Sequence, residues 1–155
     1  MLYLDASVLA KRYFTERGSD AVQTRFRSGE RIFTSVLSYA EIHAALGRKY
    51  RARELKANDF ELVRKAFVHD WLYSLKVLEM NAATLAALPD LVEHHPLKGL
   101  DAAHLSAALW LRDMCLLTPD FAAGDVVLEF GVVDRRLARV ATACGLKVFN
   151  PEASA

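Results

Sequence analysis

Four carboxylates carry the chemical interest of this chain: Asp5, Glu41, Asp101 and Asp134. Asp5 follows the apolar run Leu2-Tyr3-Leu4, and Glu41 comes shortly after Arg31-Ile32-Phe33-Thr34. Asp101 ends Gly99-Leu100-Asp101 ahead of an Ala/Leu-rich stretch, and Asp134 follows the run from Val126 to Val133. Each acid also has a purely structural use. Asp5, Asp101 and Asp134 suit helix N-caps, where a side-chain oxygen accepts from free backbone amides. Ser38-Tyr39-Ala40-Glu41 has the Ser-x-x-Glu spacing of a capping box. Brought together without bases between them, four acids repel one another and raise their own pKa values. A hard divalent cation removes that cost. Mg²⁺ or Mn²⁺ takes oxygen ligands, keeps several waters and leaves room for a phosphate. Such a set suits metal-assisted hydrolysis of a phosphodiester by water.

Positioning these acids requires a common edge, and the order of elements supplies one. Leu2-Tyr3-Leu4 has little polar alternation and reads as a strand buried on both faces of a parallel sheet. Asp5 then stands at its C-terminal end, where open α/β sheets place their ligands. Further strands are expected at Arg31–Thr34, Leu75–Met80, Val126–Val133 and Leu146–Phe149. Helices are expected over Ala6–Phe14, from Ser19 toward Ser28-Gly29, from Ser35 to about Tyr50, and over Asn58–Trp71. Three more cover Asn81–His94, Ala102–Leu111 and Asp134–Cys144, with Pro89 kinking or splitting the first of them. Strands alternating with helices argue a parallel sheet covered on both faces, and right-handed crossovers bring every strand's C-terminal end to one edge. The 155 residues fit a single domain, with no repeat or linker.

A net charge of +1 is no sign of nucleic acid by itself, but its distribution is uneven. Residues 1–75 carry 13 Lys+Arg against 9 Asp+Glu, and residues 76–155 carry 7 against 10. The basic clusters Lys11-Arg12, Arg48-Lys49-Arg51-Arg53 and Arg135-Arg136-Arg139 either track phosphates or form solvated helix faces. No apolar run approaches the ~20 residues of a membrane span, and Asp5 interrupts the N-terminus too early for a signal peptide. Cys115 and Cys144 lack metal-ligand spacing. A cytoplasmic protein with reduced thiols is the expectation. His104 lies three residues after Asp101 and reads as a hydrogen-bonded packing residue on an Ala-rich helix.

The same four acids carry a resemblance. The chain resembles PIN-domain ribonucleases, and most of all the VapC-type toxins of prokaryotic toxin–antitoxin pairs. Leu4-Asp5-Ala6-Ser7-Val8-Leu9-Ala10-Lys11-Arg12-Tyr13 is similar to that family's first motif, with Asp5 as first acid and Ser7 as the hydroxyl beside it. Thr34-Ser35-Val36-Leu37-Ser38-Tyr39-Ala40-Glu41 resembles the second, Leu100-Asp101-Ala102-Ala103-His104-Leu105 the third, and Val133-Asp134-Arg135-Arg136-Leu137-Ala138 the fourth. The resemblance implies a three-layer α/β/α sandwich with a central parallel sheet of about five short strands over residues 1–150, then a short tail, 151–155. It further implies Mg²⁺- or Mn²⁺-dependent endoribonuclease activity leaving a 5′-phosphate, with Asp5, Glu41, Asp101 and Asp134 as metal-holding, catalytic residues. A cognate antitoxin and a second copy of the chain are the partners it implies. Ser7, Arg12 and Arg135 are then candidates for contact with RNA.

Two departures from the pattern bear on the fourth acid. A hydroxyl residue commonly stands two places before it, and here that place holds Val132. Thr118-Pro119-Asp120 offers a rival acid, though Asp134 is the better match because a strand precedes it. Val132 and the modest net charge motivate an alternative, a catalytically silent RNA- or partner-binding module on the same fold. A phosphatase using Asp5 as nucleophile is disfavoured, since Asp5-Ala6-Ser7 lacks a second carboxylate.

Overall fold

The structure is a computed structural model and describes residues 1–117, 119 and 127–153. Five short strands form one sheet: β1 (Leu2–Leu4), β2 (Ile32–Ser35), β3 (Leu75–Leu78), β4 (Glu129–Gly131) and β5 (Lys147–Phe149). Their spatial order is β3-β2-β1-β4-β5, and each neighbouring pair is parallel. The first strand therefore lies in the middle. Leu2 registers with Ile32 on one side, and Leu4 with Gly131 on the other.

Alternation along β1 divides the core in two, because successive strand side chains point to opposite faces. Leu2 and Leu4 pack with Val8, Val22, Ile42 and Phe67. These come from α1 (Ala6–Ala10), α2 (Ser19–Arg27), α3 (Leu37–Arg51) and α4 (Ala57–Tyr73). Tyr3 faces the other way and stacks on Phe130 with ring centroids 5.5 Å apart. It packs in a cluster with Leu91, Ala102, Leu105, Ala108 and Leu137. These residues belong to α6 (Leu88–His94), α7 (Gly99–Leu116) and α8 (Arg135–Ala143), while α5 (Ala82–Ala86) precedes α6. The result is the three-layer α/β/α sandwich. Each fully buried Leu or Phe contributes about 1.5–3 kcal/mol, so both faces of β1 hold the sandwich together.

Several boundaries differ from the sequence expectation for local reasons. The segment 81–94 splits at Ala87, so Pro89 occupies the second position of α6, where a missing N–H costs no helical bond. The run from Ala6 ends its helix at Ala10 and continues as a turn. Helix α7 begins at Gly99 and reaches Leu116, extending past the expected Ala102–Leu111 at both ends. The expected strand Val126–Val133 is reduced to Glu129–Gly131 among the described residues.

The last described residues pack back on the fold. Pro151 is buried, and a Cβ at Gly18 (φ 83°) would lie 2.9 Å from its carbonyl carbon, so both conformation and space require glycine at that turn. The ammonium of Lys11, only 5% exposed, pairs with Glu152 at 2.8 Å and Glu16 at 3.6 Å. Among the described residues, no helix is long and apolar enough to cross a membrane.

Candidate active site

Asp5 immediately follows β1, and its backbone N–H donates to the Gly131 carbonyl at 3.1 Å. The β1–β4 ladder thus runs right up to the first acid. Its side chain caps α1, with Oδ1 accepting the Val8 N–H at 2.8 Å. Ser7 Oγ, on an exposed residue, lies 2.8 and 3.0 Å from the two carboxylate oxygens and donates to them. The carboxylate is 6% exposed. Burial pushes it up to about 6; the Val8 amide, His104 and Ser7 hold it lower than burial alone would, while the charge of Glu41 adds to the rise.

Glu41 approaches from α3, in the same layer as α1. The expected capping box does not form, because α3 already begins at Leu37 and Ser38 lies inside it. The Ser38 hydroxyl pairs instead with Thr34 Oγ1 at 2.7 Å. Glu41 Oε2 lies 2.8 Å from Nε2 of His104, a residue 3% exposed, whose Nδ1 lies 3.0 Å from the Tyr3 hydroxyl. Burial, followed by the charges of Asp5 and Glu41, raises the Tyr3 phenol well above its ordinary pKa, so it stays neutral. That both charges act on one hydroxyl places the two acids in one neighbourhood.

Asp101 and Asp134 are positioned differently. Asp101 lies in the first turn of α7, whose N-cap is Lys98, so it is not the cap that its position before the Ala/Leu run suggested. Its charge complements the helix's positive end. It precedes His104 by three residues on the same helix, one turn apart on one face. Asp134 is the N-cap of α8, its Oδ1 accepting from the amides of Arg136 at 2.8 Å and Leu137 at 2.9 Å. The Leu137 amide foremost, then that of Arg136, holds this carboxyl below its ordinary range against a smaller opposing effect of burial. Val132 is fully buried in the α7 side of the core. Thr118 and Asp120 lie outside the described residues.

Among the described residues, no three or more His, Cys, Asp or Glu side chains stand close enough to hold an ion as they are. Mg²⁺ seldom asks for an all-protein cage: one or two carboxylates suffice, with waters and substrate phosphates completing its shell. Asp5 and Glu41 suit that demand. They are hard oxygen donors, one of them buried at the cost of a raised pKa, and a divalent charge beside them would offset that cost.

An open groove of about 390 Å³ runs from Ser7 and Glu41 between α1 and α3. Ala6, Ala10, Phe14 and Ala45 give it an apolar wall, and Arg48 and Lys49 line its far end. Lys49 pairs with Glu54 at 3.3 Å and Glu16 at 3.5 Å, whereas Arg48 is exposed. Arg135 is exposed at the first residue of α8. Arg12 is engaged elsewhere: its Nε donates to Asp70 at 3.1 Å, it bonds Gln23, and its guanidinium covers the Phe26 ring. The Tyr3–His104–Glu41 connection is the part of the site that the sequence reading missed. Its one visible signal was the helical spacing of Asp101 and His104.

Comparison with known proteins bears on this geometry. The chain matches the PIN domain family over residues 2–123, a stretch holding Asp5, Glu41 and Asp101. Two curated proteins of Mycobacterium tuberculosis, Ribonuclease VapC45 and Ribonuclease VapC49, are each 30% identical over 148 residues, 96% of this chain and 94% of theirs. Among solved structures, FitAcB from Neisseria gonorrhoeae superposes with a TM-score of 0.64 at 14% identity, covering 97% of this chain and 98% of that one. A toxin–antitoxin complex from Klebsiella pneumoniae gives 0.62 at 14% identity, with the same coverage. VapBC2 from Rickettsia felis, bound to a DNA fragment from its promoter, gives 0.62 at 13% identity, again covering 97% and 98%.

Proposed function

The chain belongs to the PIN-domain family, in its VapC-type toxin branch, and from that premise we propose that it is an endoribonuclease dependent on Mg²⁺ or Mn²⁺. The observation that supports this reading is that Asp5, at the sheet's C-terminal edge, is buried with its carboxyl pushed up to about 6, the charge of Glu41 adding to the rise. Asp5 and Asp101 are the principal residues to hold the ion, and Glu41 and Asp134 complete the acidic set. When bound, such an ion offsets phosphate charge and makes a water nucleophilic near neutral pH.

The chain's own residues do the rest. Ser7 and the Val8 amide fix the Asp5 carboxylate, and His104 fixes Glu41. The groove beyond them accepts an RNA backbone, with Arg48 and the exposed Arg135 as phosphate contacts. Ser7, beside Asp5 in the groove wall, is a further candidate contact to the RNA. Arg12 contributes to RNA binding only by exchanging its bonds to Asp70 and Gln23. The product carries a 5′-phosphate. A cognate antitoxin is the expected protein partner, a reading supported by the toxin–antitoxin complexes of similar fold. A homodimer acting in the cytoplasm completes the proposal.

The test is cleavage of a mixed RNA substrate in the presence and absence of Mg²⁺. Asp5→Asn and Asp101→Asn each abolish the Mg²⁺-dependent part; full cleavage by both variants refutes the reading. Val132, in place of a hydroxyl, favours a second reading as a silent RNA- or partner-binding module. Calorimetric titration with Mn²⁺ separates the two, since only the nuclease requires the ion.

A further inference from the structure

His104 connects the two helical layers at the sheet edge. It rises from α7, whose Ala102, Leu105 and Ala108 cover one face of the sheet, and it meets Glu41 of α3, whose Ile42 covers the other. An ionised carboxylate only accepts hydrogen bonds, so Nε2 carries the proton in this contact. In the neutral ring Nδ1 then keeps its lone pair, which the Tyr3 O–H satisfies at 3.0 Å. Tyr3 itself cannot swing, since it is wholly buried, stacked on Phe130 and edge-on to the imidazole with centroids 6.1 Å apart. One phenol thus sets both the tautomer and the ring plane of the histidine.

We propose that His104, locked in its Nε2–H tautomer by Tyr3, is a positioning residue that holds one oxygen of Glu41 and so presents the other to the divalent ion. A glutamate side chain has three rotatable bonds and stands partly in solvent here, with 28% of its side chain exposed. Without a fixed donor it samples many rotamers, and the entropy of ordering it falls on ion binding. Partners one bond behind a metal-holding group commonly change metal affinity or activity by about 10–100-fold. The inference rests on the reading of Glu41 as a metal-holding acid.

The experiment has a metal-free and a metal-bound arm. Nitrogen-15 NMR of the unmodified, metal-free protein at pH 7.5 reports the His104 tautomer directly; Nε2–H alone is expected, and a proton on Nδ1, alone or in the doubly protonated ring, overturns the proposal. Mn²⁺ affinity is then measured by calorimetry for His104→Gln, whose amide nitrogen reaches the place of Nε2, and for His104→Asn, which stops one bond short. The expected result is a loss of about 10–100-fold for the Asn variant, with affinity largely kept by the Gln variant. A purely structural histidine would lose equally in both. Tyr3→Phe, which keeps the ring, weakens Mn²⁺ binding in the same direction and serves if either His104 variant fails to fold. Equal affinities for all three and the parent, with Glu41→Gln still impaired, overturn the positioning role and leave the nuclease reading intact. Unimpaired binding by Glu41→Gln overturns both.

Discussion

Leu4 lies over Gly131 so closely that a β-carbon on the glycine would stand 2.5 Å from Leu4 Cδ2 and 3.3 Å from the Tyr3 carbonyl oxygen. The two are register partners in the central strand pair, and Asp5 follows directly. Leu4 is fully buried and has no room to retreat. Gly131→Ala therefore overpacks the sheet beneath the first acid, at a cost of about 1–3 kcal/mol. Urea unfolding checks the loss, and any RNA cleavage falls with it because Asp5 shifts with its strand.

Asp5 makes the metal-free protein less stable above neutrality. Its carboxyl is raised from 3.8 to about 6, so the folded chain holds this proton more tightly than the unfolded chain does between those values. The stabilisation from the protonated form is complete below the unfolded value and is lost as pH rises through 6. Asp5→Asn keeps a good cap for α1 and removes the buried charge. In the presence of a chelator it unfolds at higher urea than the parent at pH 7.5, by up to about 3 kcal/mol, and the gap closes near pH 4. Adding Mn²⁺ at pH 7.5 stabilises the parent more than the variant.

Asp134 has two separable tasks. As the cap of α8 it is worth about 1 kcal/mol, which Asp134→Ala forfeits and Asp134→Asn largely keeps. Its lowered pKa gives the charged cap an advantage at neutral pH that disappears as pH falls through the folded-state value. Thermal melts of the two variants measure the cap. Cleavage lost by the Asn variant, with its melting temperature near the parent's, isolates the chemical role.

The pairing of Lys11 with Glu152 is asymmetric, since the ammonium is buried and the carboxylate half-exposed. Removing the carboxylate leaves the buried ammonium with only the longer 3.6 Å pairing to Glu16, whereas removing the lysine returns Glu152 to solvent. Glu152→Gln is therefore expected to destabilise the fold more than Lys11→Met does. Denaturation at pH 7 ranks the two.

The sequence carries the sheet plainly, because each strand is an apolar run ended by a carboxylate, a turn residue or a helix pattern. It carries Asp5 and Asp134 as caps for the same reason: capping is a local bond, made within three residues. Glu41 and Asp101 are read less well. Ser38-x-x-Glu41 has the letters of a capping box, but the helix starts two residues earlier, with Val36 as its cap position, and Glu41 turns to a residue of another layer. Asp101 looks like a cap until three further residues, Lys98 to Leu100, prove to belong to the helix start. His104 was legible as buried and hydrogen-bonded, yet its partners, Tyr3 and Glu41, come from distant parts of the chain that no spacing rule connects.

With β1 in the middle of the sheet, its second neighbour is β4, and translation delivers that strand only after β2, β3 and the helices up to α7 have emerged. A nascent chain halted before Gly131 leaves the amide of Asp5 without its carbonyl and one flank of the strand open. Copies that stop short of Gly131 therefore lack the finished edge, and whatever chemistry it performs waits on that strand.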